Sequence, residues 1–519
     1  MVRTHRVCIT MCLCGFALWA SGCRSTQQVA CESFQRANYP ATSCMAIEHY
    51  GTNSVEASLD FTGPRSLEEC VSIGLSQNPQ IKAARYDIAT FSHRVPQAAS
   101  LPDPMLGTVA QLAPVQTAAG EQRFGLSLSQ KVLTGEKRDA RATAAAHEVK
   151  AAEAKLAEVE LDVQEKIQLA YFQLYYLQQA IEITNENQEQ LKLIGKVVER
   201  MYRVKQDVSQ QDVLNVEIEQ KKVETELIAL RKQKRVAQSN LALLMHVSQE
   251  TRIEATNRLP EPRLLSDVQE LYVQAVQYRP ELHARIAKIH RDRSLTQLAE
   301  LQSIPDVTLG MNWIGTSSAG ISPVANGDDA FMVMASINLP RKRRIRAAIS
   351  EARNRTLAEQ SRYDALRDST LASVTEFFTG FESQQEMLAI LRDEIVPKAE
   401  LTLSESIDAY EVGEVDMMQV VESWRKLLGF ELTSKRLETE LRKIIASISR
   451  LVGVGQQDSS ISIPPDSFNG DQKKEDSFKP EEEESETESS DMRDDESDNE
   501  GKNDTPPEPD IPPAANDGN

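Results

Sequence analysis

Ser66-Leu67-Glu68-Glu69-Cys70 runs on to Asn78-Pro79-Gln80-Ile81, and Asp267-Val268-Gln269-Glu270-Leu271 runs on, with the same spacing, to Arg279-Pro280-Glu281-Leu282. The echo continues down the chain. Pro102-Asp103 returns as Pro305-Asp306, Lys137-Arg138-x-x-Arg141 as Lys342-Arg343-x-x-Arg346, and Tyr202-Arg203-Val204 as Tyr410-Glu411-Val412. Each copy closes on a leucine-rich helix end, Leu241-Ala242-Leu243-Leu244 and Ile448-Ser449-Arg450-Leu451. A period of about 200 residues is far longer than that of a solenoid. One large unit is therefore written twice, over 65–256 and 257–455.

Each copy reads alike. Leu67 to Ser100, or Asp267 to Ser303, reads as one helix. Two strand-like runs follow. Phe124, Leu126 and Leu128 alternate with Gly125, Ser127 and Ser129; Val307, Leu309, Met311 and Trp313 alternate with Thr308, Gly310 and Asn312. Phe331, Val333, Ala335, Ile337 and Leu339 alternate with Met332, Met334, Ser336 and Asn338, and Pro340 stops the run. Met105 to Leu112 alternates poorly. Period two with one apolar face predicts half-buried strands, and an apolar-out, polar-in run is what a membrane barrel strand requires. A very long helix comes next (Lys137 to Arg203; Lys342 to Tyr410), then a shorter one (Ser209 to His246; Asp416 to Gly453). At 1.5 Å per residue the long helix spans about 100 Å, and the two shorter helices of a copy, stacked, match it. Four strands cannot close a barrel, and lipid tolerates no open sheet edge. Closure therefore needs other copies of the chain, and three would give twelve strands.

Composition agrees. Of 519 residues 26% are charged and 5% aromatic, with 22 Gly and 22 Pro, a profile of long helices rather than turn-rich β structure. The net charge of −20 argues against nucleic acid. From Asp471 to Asn519 there are 19 Asp+Glu against 5 Lys+Arg, so this stretch carries −14 of that charge. Residues 456–519 read as an acidic tail unable to bury a core. At the other end, Arg3, His5 and Arg6 precede an apolar run from Val7 to Ala20, which reads as a secretory signal over 1–22. It ends Ala20-Ser21-Gly22-Cys23, which resembles a bacterial lipoprotein box, with Cys23 the lipidated residue, Arg24 implying the outer membrane, and 23–64 a tether. Cys31, Cys44 and Cys70 remain outside the signal; a Cys31–Cys44 bridge is open, and no Cys-x-x-Cys occurs.

The lipoprotein box, the duplicated helix–strand–strand–helix–helix unit and the Tyr410-Glu411-Val412-Gly413 turn resemble the TolC-like outer-membrane efflux proteins over about residues 65–455. The resemblance implies a mainly α fold with membrane β structure: a homotrimeric channel-tunnel, with a 12-stranded barrel in outer-membrane lipid and a periplasmic helical barrel. It further implies a passive exit duct that works with a periplasmic adaptor (membrane fusion) protein and an inner-membrane pump, without catalysis and with no cofactor beyond the lipid on Cys23. Leu101-Pro102-Asp103-Pro104-Met105-Leu106 looks most like members paired with heavy-metal resistance-nodulation-division pumps.

In that family the helix turns constrict the tunnel and meet the partner proteins. Here they would comprise Tyr202, Asp207 and Asp212 in the first copy and Tyr410, Gly413 and Asp416 in the second, with Lys205 standing where the family has Gly. The carboxylates would form an acidic ring; the plainer reading makes Asp416, and Ser209 or Asp207, N-terminal caps of the following helices. Arg341, Lys342, Arg343 and Arg344 would meet lipid phosphates at the periplasmic face, with Lys137-Arg138 as their counterpart, and Trp313 would sit in an interfacial belt. The four aromatics Tyr171, Phe172, Tyr175 and Tyr176 read as helix packing. His283 and His290 share a helix face, but no metal-site spacing appears. Two other readings fit parts of the chain: a structural coiled-coil lipoprotein, which leaves the strands unexplained, and the exit duct of a type I secretion system.

Overall fold

The structure, a computed structural model, describes residues 63–204, 209–264, 266–318, 320–321 and 327–454. Cys23, the proposed Cys31–Cys44 bridge, Lys205, Asp207 and the acidic tail lie outside the described residues. In the first copy β1 (Pro64–Arg65) leads to α1 (Leu67–Gln77), α2 (Pro79–Ala99), β2 (Met105–Thr117), β3 (Gly120–Val132), α3 (Gly135–Val204) and α4 (Gln210–Leu244). After β4 (Glu254–Ala255), the second copy gives α5 (Val268–Tyr278), α6 (Pro280–Leu301), β5 (Val307–Thr316), β6 (Ala330–Ile337), α7 (Lys342–Ile390), α8 (Val396–Val412) and α9 (Met417–Val452).

Two helices expected as single rods are broken. Leu67 to Ser100 divides at Asn78 and Asp267 to Ser303 at Arg279, each the residue before a proline. The proline ring pushes its predecessor out of the helical region, and Asn78 (ψ 126°) and Arg279 (ψ 118°) are extended. Each proline then opens the next helix, where its missing N–H costs nothing. Asn78 also caps: its side-chain oxygen accepts from Gln80 N at 2.8 Å, while its Nδ2 donates to the Leu244 carbonyl at 3.0 Å, tying the end of α4 to the break. The second long helix is likewise interrupted, by a π-helical turn at Leu391–Ile395. Pro397 follows it; proline has no N–H for the ladder and crowds the carbonyl four residues back, and the wider turn relieves that crowding.

The 70-residue α3 spans about 105 Å. It packs against α4 along one part and against α1 and α2 along another, as the length argument requires, and also against α6 and α9 of the second copy. The core at the α1–α4 junction contains Cys70, Ile81, Ile167, Leu174, Leu241 and Met245. Tyr171, Phe172 and Tyr175 are buried there as expected. The Tyr171 hydroxyl has a further use: it donates to the Arg65 carbonyl (2.8 Å) and accepts from Thr256 N (3.1 Å), beside the short parallel pairing of β1 with β4. Burial pushes the Cys70 thiol up to about 12, which leaves it an apolar packing group. His283 bonds the Gln277 carbonyl, and His290 stacks on His147, so the two do not act as a pair.

The strands form one antiparallel sheet in the order β2-β3-β5-β6, with both copies contributing a hairpin. β2, the weakest strand in the sequence, is formed, though its pairing with β3 is interrupted between Ala110 and Val115; a two-residue loop at Ala118 and Ala119 and the positive φ of Gly120 turn it into β3. Paired residues share a face. Leu126 lies opposite Trp313, which lies opposite Phe331; Leu128 lies opposite Met311, which lies opposite Val333. The other face carries Gly125, Ser127, Ser129, Thr308, Gly310, Asn312 and Ser336. The first face is largely apolar; the second is mixed, since Val109, Ile314, Met332 and Met334 share it with these small and polar residues.

Candidate functional site: strand base, helix turns and tunnel wall

At the base of the sheet the two copies differ. Lys137, expected among solvated membrane-face cations, is buried (4% exposed): its ammonium donates to the Asp306 carboxylate and the Ile304 carbonyl, both at 2.6 Å. Lys131 reaches the other Asp306 oxygen at 2.9 Å. Burial pushes the Asp306 carboxyl up, but hydrogen bonds and charge from Lys137 and Lys131 outweigh it and hold it below the usual carboxylate range. In the second copy Arg341, Lys342, Arg343 and Arg344 are all exposed at the start of α7. Trp313 packs edge-on against Phe124 at 6.2 Å on the apolar face.

The helix turns stand on a separate core. Leu191, Ile194 and Val198 from α3, Val216, Val223 and Leu227 from α4, Leu403 and Tyr410 from α8, and Met417 and Trp424 from α9 are buried together. Arg425 forms a two-pronged pair with Glu219, which also accepts from Lys222, joining α9 to α4. Tyr410 is buried, and among the described residues its hydroxyl has no hydrogen-bond partner. Burial raises its pKa, and the charge of Asp212 at the start of α4 raises it further. Tyr202, its counterpart, is exposed.

Both described turn carboxylates cap helices. Asp416 accepts from Gln419 N at 2.9 Å. Asp212 closes a capping box: it accepts from Ser209 N at 3.2 Å, while the Ser209 hydroxyl accepts from Gln211 N at 3.1 Å. Gly413 (φ +89°) ends α8 in a Schellman turn, with Glu414 N donating to the Ala409 carbonyl and Gly413 N to that of Tyr410. Gly453 (φ +81°) ends α9 the same way, but a Cβ there would stand 2.5 Å from the Tyr278 carbonyl oxygen, whereas one at Gly413 would meet open space. Gly413→Ala should therefore cost about 1 kcal/mol of conformational strain. Gly453→Ala adds a backbone clash and should cost clearly more. Thermal unfolding of the two variants side by side reads the difference.

Between these ends, charged nodes lock the wall. Arg450 pairs with Asp162 of α3 and, at 2.7 Å, with Glu281 of α6, while Glu281 also holds Arg279. Arg442 donates to the Pro260 carbonyl and lies over the Tyr175 ring. Sequence reading missed these ties because their partners lie far apart along the chain. Among the described residues no helix is long and apolar enough to cross a membrane.

A duplicated helical rod bearing a four-stranded sheet with one apolar face is the protomer of a channel-tunnel. The outer membrane efflux protein model matches residues 71–245 and 271–454, most of the chain, and the protein belongs to that family of outer-membrane efflux channels. It is similar to the cobalt-zinc-cadmium resistance protein CzcC of Cupriavidus metallidurans, at 21% identity over 75% of this chain and 90% of that one. Among solved structures, the outer-membrane channel OprN matches with a TM-score of 0.64 at 20% identity, covering 75% of this chain and 90% of that one. CusC matches with 0.64 at 15% identity (75% and 92%), and VceC of Vibrio cholerae with 0.62 at 19% (75% and 96%). The TolC-like fold and outer-membrane location expected from the repeat are thus the ones found.

Proposed function

We propose that three copies close their sheets into a 12-stranded barrel anchored by lipid on Cys23. The trimer then passes metal cations outward as a passive conduit fed by an inner-membrane pump through a periplasmic adaptor. The observation that carries this reading is the sheet itself: four strands, one apolar face and two open edges suit a bilayer only when other copies complete the ring. Similarity to CzcC along 90% of that protein supports metal cations as cargo. The turn carboxylates Asp207, Asp212 and Asp416 ring the periplasmic opening and favour cations, with Tyr202, Tyr410 and Gly413 shaping the surface met by the adaptor. Trp313 and the Arg341–Arg344 run meet the membrane interface.

Deleting the gene should lower tolerance to cobalt, zinc or cadmium and raise their cellular content; unchanged tolerance to all three would remove the metal assignment. Asn keeps a capping oxygen where Asp stood, so Asp207→Asn, Asp212→Asn and Asp416→Asn together test charge apart from capping. Like charges near a narrow opening act on an ion with about 1 kcal/mol. The triple variant should accordingly lose cation preference several-fold in bilayer recordings, and unaltered selectivity would sink the acidic ring.

A further inference from the structure

The junction between the two copies within one chain is a template for the junction between chains. β3 of the first copy pairs with β5 of the second, and Lys137 beside β3 holds Asp306 beside β5 at 2.6 Å. The repeat places Lys342 where Lys137 stands and Asp103 where Asp306 stands. Both are exposed, and among the described residues neither makes an ion pair. Lys342 lies beside the free edge of β6 and Asp103 beside the free edge of β2, at opposite margins of the sheet. Within one chain they cannot meet. Across a junction between copies they can.

We propose that β6 of one subunit pairs antiparallel with β2 of the next, in the register of the internal β3–β5 ladder, and that Lys342 of the first binds Asp103 of the second as Lys137 binds Asp306. This rests on the trimer proposed above and specifies its contact. Carrying the Leu128–Met311 and Leu126–Trp313 pairs through the repeat puts Val333 opposite Thr108 and Phe331 opposite Ala110 of the neighbour. A test of this register, independent of the charges, is the identity of the faces. Val333 and Phe331 lie on the apolar face with Leu128 and Leu126, and Thr108 and Ala110 lie opposite Leu126 and Phe124 on that same face. A slip of one residue would bring each strand's side chains to the opposite face. In the proposed register the exposed apolar side chains of this face at the two margins, Leu106 on β2 and Phe331 and Val333 on β6, would flank one another across the junction. Ion pairs within and between subunits would alternate around the base of the ring.

Directly opposed side chains come close enough for a disulfide. In full-length protein with Cys31→Ser and Cys44→Ser, the pair Val333→Cys and Thr108→Cys should give covalent trimers on oxidation in the membrane. The pair Val333→Cys and Gly107→Cys, on opposite faces, should not. Lys342→Glu and Asp103→Lys should each lose the trimer at a temperature the parent survives, and combining them should restore it. A stable trimer that links only through the second cysteine pair, or through neither, or whose charge reversal brings no recovery, overturns the register and leaves the conduit reading standing. A parent protein extracted as a monomer overturns both.

Discussion

Asp306→Ala should destabilise the protein by about 3–5 kcal/mol, the cost of leaving a buried charge without its partner. The stranded group is Lys137, 5% exposed at its side chain and left with only the Ile304 carbonyl. Lys131→Ala removes the other cation from the same carboxylate, yet should cost less than about 1 kcal/mol, because that side chain is 48% exposed. Replacing both buried partners, Lys137→Met with Asp306→Leu, should come out close to neutral, since two desolvated charges give way to apolar packing. Denaturant unfolding in detergent checks all three. The pH dependence has a definite sign. Asp306 titrates below its unfolded value, so its contribution is complete above about pH 4 and is lost as pH falls through the depressed folded value. Wild type should therefore weaken in acid more than the apolar double variant. Equal acid sensitivity would show that the pair carries no linked stability.

This pair also marks the limit of what the sequence discloses. The repeat fixed the order of elements, the strands and the helix ends, because alternation, capping residues and glycine stops are local signals. Ser209, Asp416 and Gly413 act where they were expected. The breaks before Pro79 and Pro280 were legible too, and reading through them ignored the restraint a proline places on its predecessor. The π-helical turn before Pro397 was harder, since a helix can absorb a proline in several ways. Lys137 was misplaced for a different reason. Equivalent positions in a repeat need not have equivalent surroundings: the first copy's lysine meets the second copy's aspartate inside the chain, while Lys342 faces the margin of the sheet. Arg450 with Glu281 and Arg425 with Glu219 were invisible for the same cause, partners far apart in sequence. At the turns, residue type located the carboxylates but gave no sign that Asp212 and Tyr410 come within electrostatic reach.

Trp424→Ala should have an effect of similar size, about 3–5 kcal/mol, but a different reach. Trp424 is 1% exposed at the centre of the core beneath both helix turns, among Tyr410, Met417, Val420 and Leu427. That core is separate from the one around Tyr171 and Leu241 at the α1–α4 junction. Emptying it should loosen the ends of α3, α4, α8 and α9 while the junction holds. Hydrogen exchange should show lost protection in α8 and the first turns of α9, with α1 and the middle of α3 unchanged, and proteases should begin to cut near Gly413. Among the described residues the indole N–H has no hydrogen-bond partner, so Trp424→Phe removes an unsatisfied donor along with some volume and should retain most of the stability. If alanine and phenylalanine prove equally damaging, volume is not what the tryptophan supplies. If alanine melts both cores together, the turns are not an independently opening unit, and any gating at that end would have to move the whole rod.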